Sequence, residues 1–92
     1  MSVVVKLSKP VTEGETSLAE LTLREPTLDD IAALGYPYVA LNTESGAAIQ
    51  VLPAVVIKYV SRLAAVPPST VKQLSLQDFS AVQNAVIGFL GE

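Results

Sequence analysis

The segment Leu21-Thr22-Leu23-Arg24-Glu25-Pro26-Thr27-Leu28-Asp29-Asp30 contains the change of period on which the fold turns. Leu21 and Leu23 alternate with Glu20, Thr22 and Arg24, the two-residue period of a strand with one buried face. Pro26 pushes Glu25 into an extended conformation and closes that strand. Thr27 through Asp30 then has the form of a capping box, in which a hydroxyl and a carboxylate three residues on satisfy the orphan amides of a helix start. A strand thus gives way to a helix with almost no linker.

Toward the N-terminus, Val3, Val5 and Leu7 alternate with Val4, Lys6 and Ser8, a β-branched period of two. Pro10 has no N–H to give a ladder and limits this strand. Glu13-Gly14-Glu15 is a turn signal, because Gly14 can take positive φ at no steric cost. Residues 1–26 therefore read as a β-hairpin, acidic at its tip. A lone hairpin is marginal in water, so it must pack on the C-terminal remainder of the chain.

Toward the C-terminus, the first helix is short and ends near Leu34-Gly35, where glycine suits the C′ position. Residues 35–46 read as a loop. Residues 47–65 take a helical period, with Pro53, Val56, Ile57, Tyr59, Val60, Leu63 and Ala64 on one arc and Lys58 and Arg62 on the opposite face. Pro53 either lies close to the start of this helix or kinks it. Val66-Pro67-Pro68 ends it, and Pro68 opens one or two further turns over residues 69–74. Ser75-Leu76-Gln77-Asp78 is a second capping box, with Leu74 and Phe79 at the positions of a hydrophobic staple. The last helix, to about residue 90, carries Leu76, Phe79, Val82, Val86, Ile87, Phe89 and Leu90. The fold expected is a single α+β domain over residues 1–92. Its N-terminal β-hairpin (1–26) packs on a C-terminal bundle of three to four helices (27–92).

Composition points to binding rather than catalysis. The chain has 92 residues, half of them hydrophobic, with only 16% charged and a mean hydropathy of +0.46. A soluble domain usually carries about 25% charged residues, and one this long buries roughly 64% of its unfolded surface. Some apolar surface must therefore face outward, where it marks a partner or a self-association surface. There is no Cys, His or Trp, which excludes disulfides, thiolate nucleophiles, Cys/His zinc sites and histidine proton shuttles. Six basic residues in a chain of net charge −3 do not supply a nucleic-acid surface. The uncharged stretch 45–57 contains Gln50 and Pro53 and is too short for a membrane span. Met1 to Lys6 lacks the pattern of a signal peptide, which makes the cytoplasm the expected location.

Catalytic motifs are missing. Asp29 and Asp30 are the only adjacent carboxylates, and a helix first turn favours them through its dipole. Ser69-Thr70-Val71-Lys72 matches S-x-x-K without the further motifs and larger scaffold that serine acyl-enzymes need. No G-x-S-x-G, P-loop or G-x-G-x-x-G occurs. No catalytic, cofactor-binding or metal residue is expected, and the chain does not read as an enzyme. The candidate partner-binding residues are the apolar Val56, Tyr59, Leu63, Phe79, Val82, Val86 and Phe89, whose outer members divide between core and interface, together with the basic Lys58 and Arg62. The basic pair has a second reading, as cations favoured near a helix C-terminus.

Three segments in register carry a resemblance. Leu21-Thr22-Leu23-Arg24-Glu25-Pro26-Thr27 follows a hairpin; Tyr59-Val60-Ser61-Arg62-Leu63-Ala64 leads into Val66-Pro67-Pro68-Ser69-Thr70-Val71; and Leu74 through Asp78-Phe79 runs into Ala85-Val86-Ile87-Gly88-Phe89-Leu90. Their order and spacing resemble the tail assembly chaperones of Mu-like and related long-tailed phages. Leu23, Arg24, Glu25, Pro26, Pro67 and Pro68 are the structural positions of that pattern. The resemblance implies a chaperone in the host cytoplasm that coats the tape measure protein, helps recruit tail tube subunits and is absent from the mature virion. It also implies a frameshift-extended form that contacts the tube protein. Self-association fits the surplus of apolar residues, and neither nucleic acid nor membrane is an expected partner. A small structural or adaptor protein of the tail that stays in the particle, and a homo-oligomeric interaction domain, are the alternatives.

Overall fold

The computed structural model describes residues 2–44 and 46–90. Met1, Ser45, Gly91 and Glu92, which the 1–92 domain and the 35–46 loop include, lie outside the described residues. The elements run β1 (Ser2–Glu13), β2 (Thr16–Arg24), α1 (Leu28–Leu34), β3 (Tyr38–Thr43), β4 (Gly46–Val51), α2 (Pro53–Ala64), α3 (Pro68–Val71) and α4 (Leu76–Leu90). This is the expected α+β arrangement of an N-terminal antiparallel hairpin with C-terminal helices.

β1 and β2 pair antiparallel from Ser2↔Arg24 to Glu13↔Thr16. Gly14, the first residue of the two-residue turn, has φ +61°, as a type II′ turn needs. The strands are unequal, twelve residues against nine, and the difference is absorbed by a bulge between Lys6 and Val11. Pro10 sits in that bulge. It does not end the strand as the sequence led us to expect, because the bulge is where the ladder does not call on its missing N–H.

Leu21 and Leu23 face inward from β2 and meet Val56, Tyr59, Val60 and Leu63 of α2, Val71 of α3, and Val82 and Val86 of α4. Val5 and Leu7 of β1 are half-buried against this core. The helices open and close where the local chemistry directs. Gly35 takes φ +75° and its N–H bonds the Ile31 carbonyl at 2.7 Å, ending α1. Pro53 and Pro68 stand at the first positions of α2 and α3. α2 thus starts at Pro53 and does not kink there. It ends at Ala65, whose left-handed conformation (φ 55°) is the only positive φ outside glycine among the described residues.

The segment between Gly35 and Pro53 departs from expectation. Instead of a loop over 35–46 and a helix from residue 47, the backbone forms a second antiparallel hairpin, from Tyr38↔Val51 to Thr43↔Gly46. Ala47 and Ala48 favour helices, and the apolar run they begin merges with the α2 pattern, so periodicity does not separate the two. This hairpin forms a sheet of its own and does not extend the first. Its base is fixed by the Leu52 N–H on the Pro37 carbonyl (2.8 Å) and by the Tyr38 hydroxyl on the Leu90 carbonyl (3.3 Å), one of the orphan acceptors at the end of α4.

Candidate functional site

The two capping boxes place two aspartates at the third position of a helix, and both turn inward. Asp30 is 1% exposed and accepts the Thr27 N–H at 2.8 Å, closing the carboxylate half of its box. Arg24 meets the same carboxylate in bidentate fashion, Nη1 to Oδ2 at 2.8 Å and Nη2 to Oδ1 at 3.0 Å. Arg62 adds a third cation contact from α2, through its Nε. The Arg24 hydrogen bonds, the Thr27 amide and Arg62 hold the Asp30 carboxyl well below the usual carboxylate range, against the opposing pull of burial. The same pairing raises the Arg24 guanidinium above its ordinary value. β2, α1 and α2 are therefore joined at one charged point, and Arg62 is engaged in the fold.

Asp78 does something different. The Ser75 hydroxyl accepts the Asp78 N–H at 3.2 Å, as a capping box requires. The Asp78 carboxylate, however, crosses to the bulge of β1 and accepts the Ser8 N–H at 2.9 Å, the Ser8 hydroxyl at 3.0 Å and the Lys9 N–H at 3.1 Å. These bonds, the Ser8 amide first, lower its pKa. The Gln73 side chain works alongside, accepting the Thr12 N–H at 2.8 Å and donating to the Thr12 carbonyl at 3.0 Å. The Thr70 hydroxyl donates to the same carbonyl at 3.0 Å.

Of the nine candidate partner-binding residues, Val56, Tyr59, Leu63, Val82 and Val86 lie together in the core. The Tyr59 hydroxyl donates to the Gly35 carbonyl, and burial raises its pKa. Phe79 and Phe89 are half-buried against this core. Lys58 is exposed and has no ion pair among the described residues. Lys58 and Arg62 do not act as one free basic face, since Arg62 turns to Asp30. Leu23 is buried, Arg24 holds Asp30, Glu25 is exposed beside the half-buried Pro26, and Pro67 and Pro68 form the joint between α2 and α3.

What the surface offers a partner is an open groove of about 240 Å³ where α2, α3 and α4 meet. It is lined by Pro53 and Ile57 of α2, Val71 of α3, Lys72 and Leu74 of the segment that follows, and Leu76 and Phe79 of α4. Leu76 is 86% exposed, the largest value among the big apolar side chains described. Of the groove residues only Phe79 is among the candidate partner residues. Leu74 and Leu76 carry capping and periodicity signals, and nothing in the spacing shows that three elements leave a concavity between them. Lys72 is the one titratable group in the lining, so the groove suits apolar contact and not acid–base chemistry. Among the described residues no group of three or more acidic, His or Cys side chains could hold a metal, and no helix is long and apolar enough to cross a membrane.

Comparison with known proteins gives one family. A family model described as "Phage tail assembly chaperone proteins, E, or 41 or 14" matches residues 4–91. No curated protein and no solved structure matches. The match takes in the hairpin, the Arg24–Asp30–Arg62 junction, the second hairpin and the grooved helices together, and the family is one of chaperones, not a known enzyme family. The chain belongs to the phage tail assembly chaperone family.

Proposed function

We propose that the chain binds the tape measure protein and keeps it soluble in the host cytoplasm while the tail tube forms. The observation that carries this reading is the open apolar groove on α2, α3 and α4, whose lining holds one charged side chain, Lys72. A long client with repeated apolar helical segments would dock one segment per groove, helix-in-groove. Many copies along one client gain by avidity, so each contact can stay weak enough to reverse. Self-association of the chain would add to that effect. Release comes from competition by tube polymerisation, without ATP. Tail tube subunits are recruited to the coated client, through a frameshift-extended form, and the chaperone leaves before the particle is complete. Phe79, Phe89, Lys58 and Arg62 are the candidate partner residues that reach the surface in this fold, Arg62 while also holding Asp30. The buried members of the set would act by holding the groove in shape.

The test is co-expression with the tape measure protein. A soluble complex with several copies of this chain per client, from a client insoluble alone, is the expected result. A client that never co-purifies, with this chain found in finished particles, would replace the reading with that of a structural tail component.

A further inference from the structure

The groove lining narrows the chemistry of its occupant. Ligand pockets for small molecules usually span about 300–1,000 Å³ and enclose what they bind. This groove is smaller, at about 240 Å³, and open to solvent, dimensions suited to a few side chains of a neighbouring protein. Its walls are helix flanks and no strand borders it, so it offers no main-chain ladder to an extended peptide. A helix presenting a row of apolar side chains is the shape that remains.

Charge adds a second constraint. Between residues 63 and 90 the only charged side chains are Lys72 and Asp78. Asp78 is buried, with its carboxylate taken by Ser8 and Lys9. Lys72 is therefore the single exposed charge of this whole region. It stands in the groove lining with no ion pair among the described residues. A carboxylate beside the apolar anchors of the occupant would meet it, and a lysine there would be repelled.

The chain shows no such helix fully exposed among its described residues. Its exposed large apolar residues among those described are Val3, Val4, Leu28, Tyr36, Val39 and Leu76, and no two share a helix. On α4 a second copy would bring only Leu76 fully exposed, with Phe79, Phe89 and Leu90 half-buried against its own core. We infer that the groove formed by Pro53, Ile57, Leu74, Leu76 and Phe79 receives an amphipathic helix of another protein that carries a carboxylate next to its apolar anchors, paired with Lys72. This assignment rests on the reading that the chain holds a client's apolar helix, and it names the site and the client's chemistry.

Fluorescence anisotropy with designed amphipathic peptides tests it. The probe is a labelled helix of about 18 residues, long enough to form in solution. Its leucines are spaced i, i+3, i+4 and i+7, and a flanking position is made Glu, Gln or Lys in turn. Leu76→Asp and Lys72→Glu change exposed side chains, and circular dichroism checks that both variants fold. The native protein should bind the Glu peptide roughly three- to fivefold more tightly than the Lys peptide. Lys72→Glu should reverse that order, and Leu76→Asp should weaken all three peptides by about tenfold. Equal binding of the three peptides, binding untouched by Leu76→Asp, or no binding at all would overturn the assignment. So would a native dimer on gel filtration that Leu76→Asp dissolves, since a second copy would then fill the groove. Any of these results alongside retained co-purification of the tape measure protein would sink this assignment alone. Loss of co-purification with the charge order intact would sink the tape measure reading instead.

Discussion

Replacing Asp30 with asparagine leaves the Arg24 and Arg62 guanidiniums facing a buried neutral amide. Breaking a fully buried ion pair costs about 3–5 kcal/mol. Here the arginines are 47% and 44% exposed and keep much of their hydration, so a loss of about 2 kcal/mol is the expected outcome. Urea denaturation at neutral pH measures it. The pH dependence has a definite sign. The folded pKa of Asp30 is depressed, so its contribution is full above the unfolded value of about 3.9 and drains away as the pH falls below it. Denaturation midpoints for the native chain should drop on going from pH 5 to about pH 3, and by less in Asp30→Asn. Ala65 offers the opposite case. It holds φ 55° at the end of α2, where an L side chain is strained, and Ala65→Gly should raise stability by roughly 0.5–1 kcal/mol in the same assay.

Among the elements, the first hairpin and the helices are joined by side chains that reach backbone. With Asp78→Ala, the Ser8 and Lys9 amides lose their acceptor. Hydrogen exchange should then speed up at those two amides well beyond any change at Leu23, and the thermal midpoint should fall. Equal acceleration at all three would mean that the bond serves only global stability. The elements also show what the chain makes legible. The first hairpin, the Thr27 and Ser75 helix starts, Gly35 and Pro68 come from turn and cap chemistry acting over a few residues, and each stands where its signal put it. The second hairpin is hidden because Ala47, Ala48 and Ile49 fit a helix as well as a strand until pairing with residues 38–43 decides the matter. The partners of Asp30 and Asp78 are hidden for another reason. Each aspartate reads locally as a cap, while Arg62 lies 32 residues from Asp30 and Ser8 lies 70 from Asp78. The candidate site is legible only in part. Phe79 reads as a partner residue and lines the groove, but Lys72 and Leu76 face away from the core, and periodicity alone cannot tell an idle outer face from one wall of a groove.

For the whole molecule, burial separates residues that make the fold from residues free to meet a partner. Tyr59→Ala and Leu63→Ala empty the centre of the core and should each cost about 3 kcal/mol in chemical denaturation, so any loss of partner binding they cause would come from unfolding. Leu76→Asp, on an exposed position, should change stability by no more than about 0.5 kcal/mol. A binding defect in Leu76→Asp with an unchanged denaturation midpoint would therefore report on the groove itself. The bulge of β1 has a consequence for life at high concentration. A two-stranded sheet has open borders where another chain can add a strand. Over residues 8–12 the border of β1 is occupied: Pro10 offers no amide, Asp78 holds those of Ser8 and Lys9, and Gln73 takes both backbone groups of Thr12. The same bonds that dock the hairpin on the helices thus blunt this stretch of it against templated β-stacking.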